Sequence, residues 1–343
     1  MKNAVLSCPF TLTDSTSRVL WEVTGKCNLN CRHCLYFNNQ KKIAPDLTIE
    51  QMTTILDDIA QDGQIKAIWI SGGEPLLRKD LIPFVQEISK RGITPSISTN
   101  GTMLTGELVE ELYNAGVRYV HLSIDGTTAA VHDWLRNTTG AFDAVMRGID
   151  YLNSSGIRKG ASYMVTWDSV TQVPEMITLG LKKGLDVLSF YLVAPIGRGT
   201  VIQDSRNFEL MNALEEAVEP YRNLPDIRIE VFRTISQNQR ADPSVGLMEC
   251  KGQCFYTITN DGHLASCPWF AKNDFSIEPI SLLEMNFSDA KYIILERMEK
   301  YLQKRKNKLT NWCVDCIHKD NCGKGCPAVG DVGGIDPLCG YLR

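Results

Sequence analysis

A chain of 343 residues with 43% apolar and 22% charged residues has the balance of a globular protein and room for about two domains. Its formal net charge of −4 argues against broad nucleic-acid binding, and no run of about 18 apolar residues offers a membrane span. The start, MKNAVLSCPFTLTDSTSR, has neither a sustained apolar core nor a cleavage-site pattern, so no signal peptide is read and a cytoplasmic location is expected. Twelve cysteines in such a chain point to metal ligands more than to disulfides. Eleven of them fall into two sets; Cys8 stands alone and is expected to take no part in chemistry.

After an N-terminal segment, 1–17, the run Arg18 to Thr24 (RVLWEVT) reads as a strand. Cys27, Cys31 and Cys34 follow it, spaced C-x3-C-x2-C. Three thiolates can hold three corners of a four-iron four-sulfur cube and leave the fourth iron open. A cluster used only for electron transfer normally has four protein ligands, so an open iron points to chemistry. Thr48-Ile-Glu-Gln51 is a capping box ahead of a helix to about Gln61, and Ile65 to Ser71 is a mostly apolar run suited to a buried parallel strand. The pattern then alternates: helix Asp80–Arg91, strand Ile93–Ser98, helix Gly106–Ala115, strand Tyr119–Ile124, helix Ala141–Ser154, strand Ala161–Thr166, helix Val173–Lys183 and strand Val187–Val193.

Six strands, each but the last followed by a helix, predict an α/β fold: a parallel sheet with right-handed crossovers, closed or partly closed into a barrel over 18–199. Its functional loops should lie at the C-terminal ends of the strands. The unusual short sequences do lie there: the cysteine loop, Gly72-Gly73-Glu74-Pro75, Thr99-Asn100-Gly101, Asp125-Gly126 and Pro195-Ile-Gly-Arg-Gly199. Any one of them could be a plain βα turn. Four on one rim beside a three-cysteine loop favour a site.

Cys27-Asn-Leu-Asn-Cys31-Arg-His-Cys34 followed by GGEP resembles the radical S-adenosylmethionine (radical SAM) superfamily. The resemblance implies a partial six-stranded barrel, a site-differentiated cluster, and S-adenosylmethionine held on the open iron by its amine and carboxylate. Reductive cleavage of the sulfonium then gives a 5′-deoxyadenosyl radical that abstracts a hydrogen atom. By position, Gly72, Gly73 and Glu74 would meet the methionyl ammonium. Ser98, Asn100 and Ser123 would meet the carboxylate or ribose, with Asp125 beside them. Arg136 could pair with the carboxylate bidentately or be a solvated helix-end charge. His33 stands where the family usually has an aromatic residue against the adenine; Tyr36 could serve instead.

Past Val193 the repeat stops. A connecting part, 200–246, should hold a helix near Phe208–Arg222 and a short strand near Ile227–Phe232; the second cysteine set follows in 247–343. Phe255 to Ser266, centred on Asn260-Asp-Gly262, reads as a β-hairpin. On spacing alone the eight cysteines could hold two zinc ions or two four-iron clusters. Their order, however, resembles the SPASM domain of radical SAM proteins, a small cysteine-rich α+β unit that follows the barrel in peptide maturases and makers of peptide-derived cofactors. That resemblance implies three four-iron clusters in all. One auxiliary cluster would sit on Cys250, Cys254, Cys267 and Cys326, the other on Cys313, Cys316, Cys322 and Cys339.

The leading expectation is a radical SAM/SPASM oxidoreductase that modifies a peptide by hydrogen abstraction, forming a cross-link or an oxidation, as in maturation of ribosomal peptides. The same chemistry on a small molecule or cofactor precursor, such as a sugar or tetrapyrrole, is the alternative. A non-catalytic iron–sulfur or zinc protein that binds a partner is disfavoured by the C-x3-C-x2-C loop beside GGEP. Only 26 residues precede Cys27, too few for a fused leader-recognition domain, so the leader of a ribosomal substrate is expected to be recognised by a separate leader-peptide-binding protein or by the barrel itself. Pro268 follows Cys267 where the sulfatase-maturing branch has an aspartate, which disfavours that role. Trp269 and Tyr256 are candidates for the substrate pocket, or core aromatics; Asp261 reads as the hairpin turn. The basic stretch Lys291–Lys308 reads as a solvated helix face, or as a dock for a flavodoxin- or ferredoxin-type electron donor.

Overall fold

The computed structural model describes residues 18–36, 44–194, 197–202, 207–232, 255–272 and 277–307. Seven strands run parallel in chain order: β1 (Arg18–Thr24), β2 (Ala67–Gly72), β3 (Thr94–Thr99), β4 (Tyr119–Ser123), β5 (Arg158–Val165), β6 (Val187–Leu192) and β7 (Arg228–Phe232). The crossovers carry α1 (Ile49–Asp62), α2 (Leu81–Lys90), α3 (Gly106–Ala115), α4 (Ala129–Arg136) with α5 (Ala141–Asn153), α6 (Val173–Lys182) and α7 (Asn207–Val218). The expected alternation is therefore present, with β7 added beside β6 as a seventh parallel strand.

The hairpin expected at Asn260-Asp-Gly262 forms as β8 (Tyr256–Ile258) and β9 (His263–Ala265). It extends the same sheet, because β8 lies parallel to β1 and β10 (Ile280–Ser281) completes the order β10-β9-β8-β1 through β7. The short α8 (Pro268–Lys272) and the long α9 (Phe287–Asn307) follow.

Strand alternation divides the sheet into two chemistries. The outer face carries Val19, Trp21, Ile68, Ile70, Ile97, Val120, Leu122, Leu188 and Phe190, all fully buried in one core with the helices' apolar stripes. Trp21 meets Phe84 of α2 edge-on at 5.1 Å. The inner face is mostly polar. Register pairs Glu22 with Ser71, Ser98 with His121, Ser123 with Ser162, Ser162 with Ser189, and Ser189 with Glu230. Lower in the lumen Trp69 packs edge-on against Tyr119 and His121, whose side chains share a 3.1 Å hydrogen bond. Gly160 makes that bond possible, since a Cβ there would fall 2.1 Å from the Tyr119 hydroxyl.

β5 starts at Arg158, three residues before its expected start at Ala161, because Arg158 and Lys159 take backbone partners from Arg118 and the Asp186 carboxylate despite their polar sequence. α4 was not among the expected crossover helices, although Arg136, which ends it, was read as a possible helix-end charge.

The C-terminal helix is fixed to the barrel at one polar point. The Asp62 carboxylate at the end of α1 accepts from Ser288 at 2.8 Å and pairs with Lys291 of α9. Arg297 donates to the Glu278 carbonyl and Lys300 pairs with Glu296, so these cations of the basic stretch are engaged within the chain. Burial opposes ionisation of Asp62, but the Lys291 and Ser288 hydrogen bonds override it and hold the carboxyl below its ordinary range. Asp62→Ala is expected to cost about 1–3 kcal/mol in chemical denaturation, as for a charged donor left half-satisfied. With a lowered folded pKa, the bond's stabilisation is complete above the ordinary carboxylate value and lost as pH falls through the folded value. The difference between wild type and Asp62→Asn should therefore shrink in acid.

Candidate active-site rim

The segment from Gly25 to Tyr36 has no helix or strand of its own, so its backbone groups must find partners elsewhere. They find them in nearly every rim loop. Gly73 donates to the Thr24 carbonyl and Glu74 to the Lys26 carbonyl, each at 2.8 Å. Asn100 donates from its side chain to Asn28 at 2.8 Å, and Asn28 donates to Thr102 at 2.9 Å. Arg32 donates from its backbone to the Leu135 carbonyl and from its side chain to the Trp134 carbonyl, both at 2.9 Å, with its guanidinium over the Trp134 ring. Arg198 donates to the Cys34 carbonyl at 3.0 Å. At the strand end, Asp46 accepts from Thr24 and Gly25 while Asn260 of the hairpin turn donates to Asp46.

The two glycines of GGEP are dictated by that contact. A Cβ at Gly72 would stand 2.4 Å from the Thr24 carbonyl oxygen, and one at Gly73 would stand 2.1 Å from that of Lys26. Glu74, fully buried, accepts from the Leu76 amide, the Thr99 hydroxyl at 2.7 Å and the Asn100 amide at 2.8 Å. Its carboxylate thus latches the β2 loop to the β3 loop rather than standing open on the rim.

Cys27, Cys31 and Cys34 are near enough for their charges to act on one another, though no three His, Cys, Asp or Glu side chains among the described residues converge as on a single metal ion. Burial first, then Glu74 and the other two cysteines, push the Cys27 thiol up to about 11 against the opposing Leu29 amide, which donates to its sulfur at 3.4 Å. Burial also raises Cys31, opposed by Arg136. Arg136 ends α4 and is 7% exposed; its guanidinium donates to Cys31 Sγ at 3.6 Å and pairs with Asp125 at 2.6 Å. Asp125 is fully buried and also accepts from the Met164 amide at 2.9 Å, while its own amide donates to His132 Nδ1 at 3.0 Å. His33 Nε2 is 3.6 Å from the Asp125 carboxylate. Burial drives both His33 and His132 down to about 4, so both are neutral near pH 7.

Ser98 and Ser123 sit half-buried at the ends of β3 and β4 on the lumen side. Tyr36 places its hydroxyl 3.3 Å from Ser71 of β2. Tyr256 aligns with Val19 on the outer face and packs edge-on against Phe287, and Trp269 packs against the same core. Cys267 is half-buried just before α8. Cys8, Cys250, Cys254, Cys313, Cys316, Cys322, Cys326 and Cys339 lie outside the described residues. Sequence reasoning missed Asp46, Asn28 and Glu22. Of these, only Asn28, inside the cysteine motif, offered a signal.

Residues 21–177 match the radical SAM superfamily. The AdoMet-dependent heme synthase of Oleidesulfovibrio alaskensis is 25% identical over 99% of this chain and 92% of its own length. The mycofactocin maturase MftC of Mycolicibacterium smegmatis is 28% identical over 95% of this chain and 83% of its own. Crystal structures of Streptococcus suis SuiB bound to S-adenosylmethionine and to precursor peptide SuiA superpose with TM-scores of 0.73 and 0.72 at 16% and 17% identity, covering 94% of this chain and 75% and 74% of theirs. That likeness shows the fold.

Gly73→Ala should displace the cysteine loop. Reduced iron retention after anaerobic reconstitution, together with a lowered Tm, is the expected result. Gly92→Ala is the control: its φ is +73° but no atom lies within 4 Å of the added Cβ, so only a left-handed backbone cost of about 1–2 kcal/mol is expected, with iron retention unchanged.

Proposed function

This chain belongs to the radical SAM superfamily, and we propose that it abstracts a hydrogen atom from a peptide held in its polar lumen, leading to a cross-link or other oxidative modification. Three cysteines on one loop, with the Leu29 amide aimed at Cys27 and the Arg136 guanidinium aimed at Cys31, suit an iron–sulfur cluster, whose thiolate sulfurs accept such hydrogen bonds. Cys27, Cys31 and Cys34 would hold the cluster, which would supply the electron for reductive cleavage of S-adenosylmethionine and so the means of hydrogen abstraction.

The chain's own part is to hold and shield. The backbone of Gly72 and Gly73 would receive the methionyl ammonium, with Glu74 keeping that turn in place. Ser98 and Ser123 have no side-chain hydrogen bond tying them down among the described residues, which leaves their hydroxyls for the carboxylate or ribose. Asn100 and Asp125 shape the same rim, and Arg136 retains a buried Nε with no acceptor among the described residues. His33 and Tyr36 flank the place assigned to the adenine. Below, Trp69, Tyr119 and His121 fill the lumen and keep water from the reacting centre. Auxiliary clusters on Cys250, Cys254, Cys267 and Cys326 and on Cys313, Cys316, Cys322 and Cys339 belong to the proposal. So do a flavodoxin- or ferredoxin-type donor and a separate leader-binding protein.

The observation that carries the peptide reading is the polarity of the lumen. Serines at 71, 98, 123, 162 and 189, with the carboxylates of Glu22 and Glu230, suit amide and amine groups. A flat macrocycle with propionates would favour apolar walls and cationic anchors. The likeness to a mycofactocin maturase and to a fold that receives a precursor peptide agrees with it. One observation favours a tetrapyrrole instead: the heme synthase relative matches this chain over nearly its whole length.

The reduced, reconstituted enzyme should release 5′-deoxyadenosine faster with a member of a synthetic peptide panel than with a propionate-bearing iron porphyrin. Acceleration by the porphyrin alone would replace the peptide reading with the tetrapyrrole one. Replacing Cys27, Cys31 and Cys34 together by Ala should abolish S-adenosylmethionine cleavage, and surviving cleavage would remove these residues from the site.

A further inference from the structure

Arg136 was expected either to pair with the cofactor's carboxylate or to be a solvated helix end. It is not solvated, and two of its three nitrogens are already engaged, Nε alone having no acceptor among the described residues. Its guanidinium is buried between a cysteine sulfur at 3.6 Å and a fully buried carboxylate at 2.6 Å. Both ends of this bridge are fixed from outside. Asp125 is held by the Met164 amide of β5. The end of α4 is held by Arg32, which caps the Leu135 and Trp134 carbonyls, and Asn137 closes the helix in a left-handed conformation with φ +53°. The other groups acting on the guanidinium are the Cys34 thiol, His33 and His132, both neutral, and the Glu74 carboxylate. One cation therefore touches a cysteine sulfur directly, while its compensating anion stands on the far side of it.

We propose that Arg136, clamped by Asp125, sets the electron affinity of the iron–sulfur cluster through a charge-assisted N–H···S bond to Cys31. This rests on the reading of Cys27, Cys31 and Cys34 as cluster ligands and goes beyond it by assigning a redox-setting role to two residues that need not touch substrate. The physical reason is simple. Reduction adds one negative charge to the cluster, and a hydrogen bond or positive charge at a ligand sulfur stabilises the reduced state more than the oxidised one. Asp125 acts with the opposite sign, being an anion, but through a longer path and chiefly by holding the guanidinium in place.

The two residues therefore predict shifts of opposite sign. Arg136→Gln removes the charge at the sulfur and should make the cluster harder to reduce, by at least tenfold in the reduction equilibrium, which is about 59 mV for one electron. Asp125→Asn keeps an acceptor of nearly the same shape for the Met164 amide, leaves the guanidinium uncompensated and should make the cluster easier to reduce. Arg136→Lys keeps the charge but loses the fork, and should fall between Arg136→Gln and wild type.

The test is a reductive titration of the reconstituted full chain without substrate, followed by electron paramagnetic resonance, with iron and sulfide measured for each variant. Opposite shifts, with Arg136→Lys intermediate, are the expected result. Shifts of the same sign, or potentials indistinguishable from wild type in variants that hold wild-type iron, would overturn the proposal. Should Arg136→Gln fail to retain the cluster, Arg136→Lys still decides it, because losing the forked N–H···S bond while keeping the charge should lower the potential, and an unchanged potential with wild-type iron would overturn the proposal. A wild-type chain with no signal dependent on Cys27, Cys31 and Cys34 would overturn the cluster reading itself, and this proposal with it.

Discussion

The rest of the rim follows from one requirement: a loop without regular structure must hold three cysteines in fixed positions. Such a loop cannot satisfy its own backbone, and unmade hydrogen bonds in a buried place cost about 1–3 kcal/mol each. A parallel sheet meets the requirement, because every strand ends at the same rim and delivers its following loop there. The donors and acceptors come from the loops after β2, β3 and β6 and from α4 after β4. The glycines of GGEP exist for this contact, since any side chain at Gly72 or Gly73 would occupy the space of the Thr24 or Lys26 carbonyl. The cysteine loop and the rim loops that would carry the cofactor are thus one hydrogen-bonded body.

The charges in that body are few and arranged. A buried ion pair such as Asp125–Arg136 is weak evidence for stability, because desolvating both partners offsets much of their attraction. Its place explains it better. The two histidines nearby are held neutral by burial, and Arg136 is the cation whose guanidinium donates to a cysteine sulfur. Glu74, which could have added a negative charge at the open rim, instead spends its carboxylate on three donors below it.

Much of the barrel was legible in the sequence because its two faces differ so strongly. Runs such as Ile68-Trp-Ile-Ser71 and Ile97-Ser-Thr99 alternate a fully buried outer residue with a lumen residue, and the helices between them carry apolar stripes of a different period. Where lumen chemistry interrupts the pattern, the reading slipped: Arg158-Lys-Gly160 looks like a loop, yet it opens β5, with Gly160 making room for Tyr119 and His121. α4 escaped because eight residues offer little periodicity. Motif spacing located the rim, but not the direction of each side chain. Glu74 and Arg136 both turn to protein partners beyond their own segments, Glu74 to Thr99 and Arg136 to Asp125 and Cys31. Asp46, which joins β1 to the hairpin turn, has no local signature at all.

The fold alone cannot choose the substrate, since relatives of nearly the same span include both a heme synthase and a peptide-derived cofactor maturase. The choice must lie in the residues that face the lumen. Those residues change character with depth. Near the rim they are serines, the Glu22 carboxylate and the stacked pair Tyr191–Phe232; deeper, Trp69, Tyr119 and His121 close the space with rings. A rigid macrocycle would gain most from the rings, but it would first have to pass a collar of hydroxyls and carboxylates and desolvate them without replacing their hydrogen bonds. An extended chain can satisfy that collar with its own amides while presenting one side chain downward. The hydroxyls and carboxylates of this collar, with the Tyr191–Phe232 pair among them, are therefore the groups that any substrate must satisfy or displace on its way to the rings below.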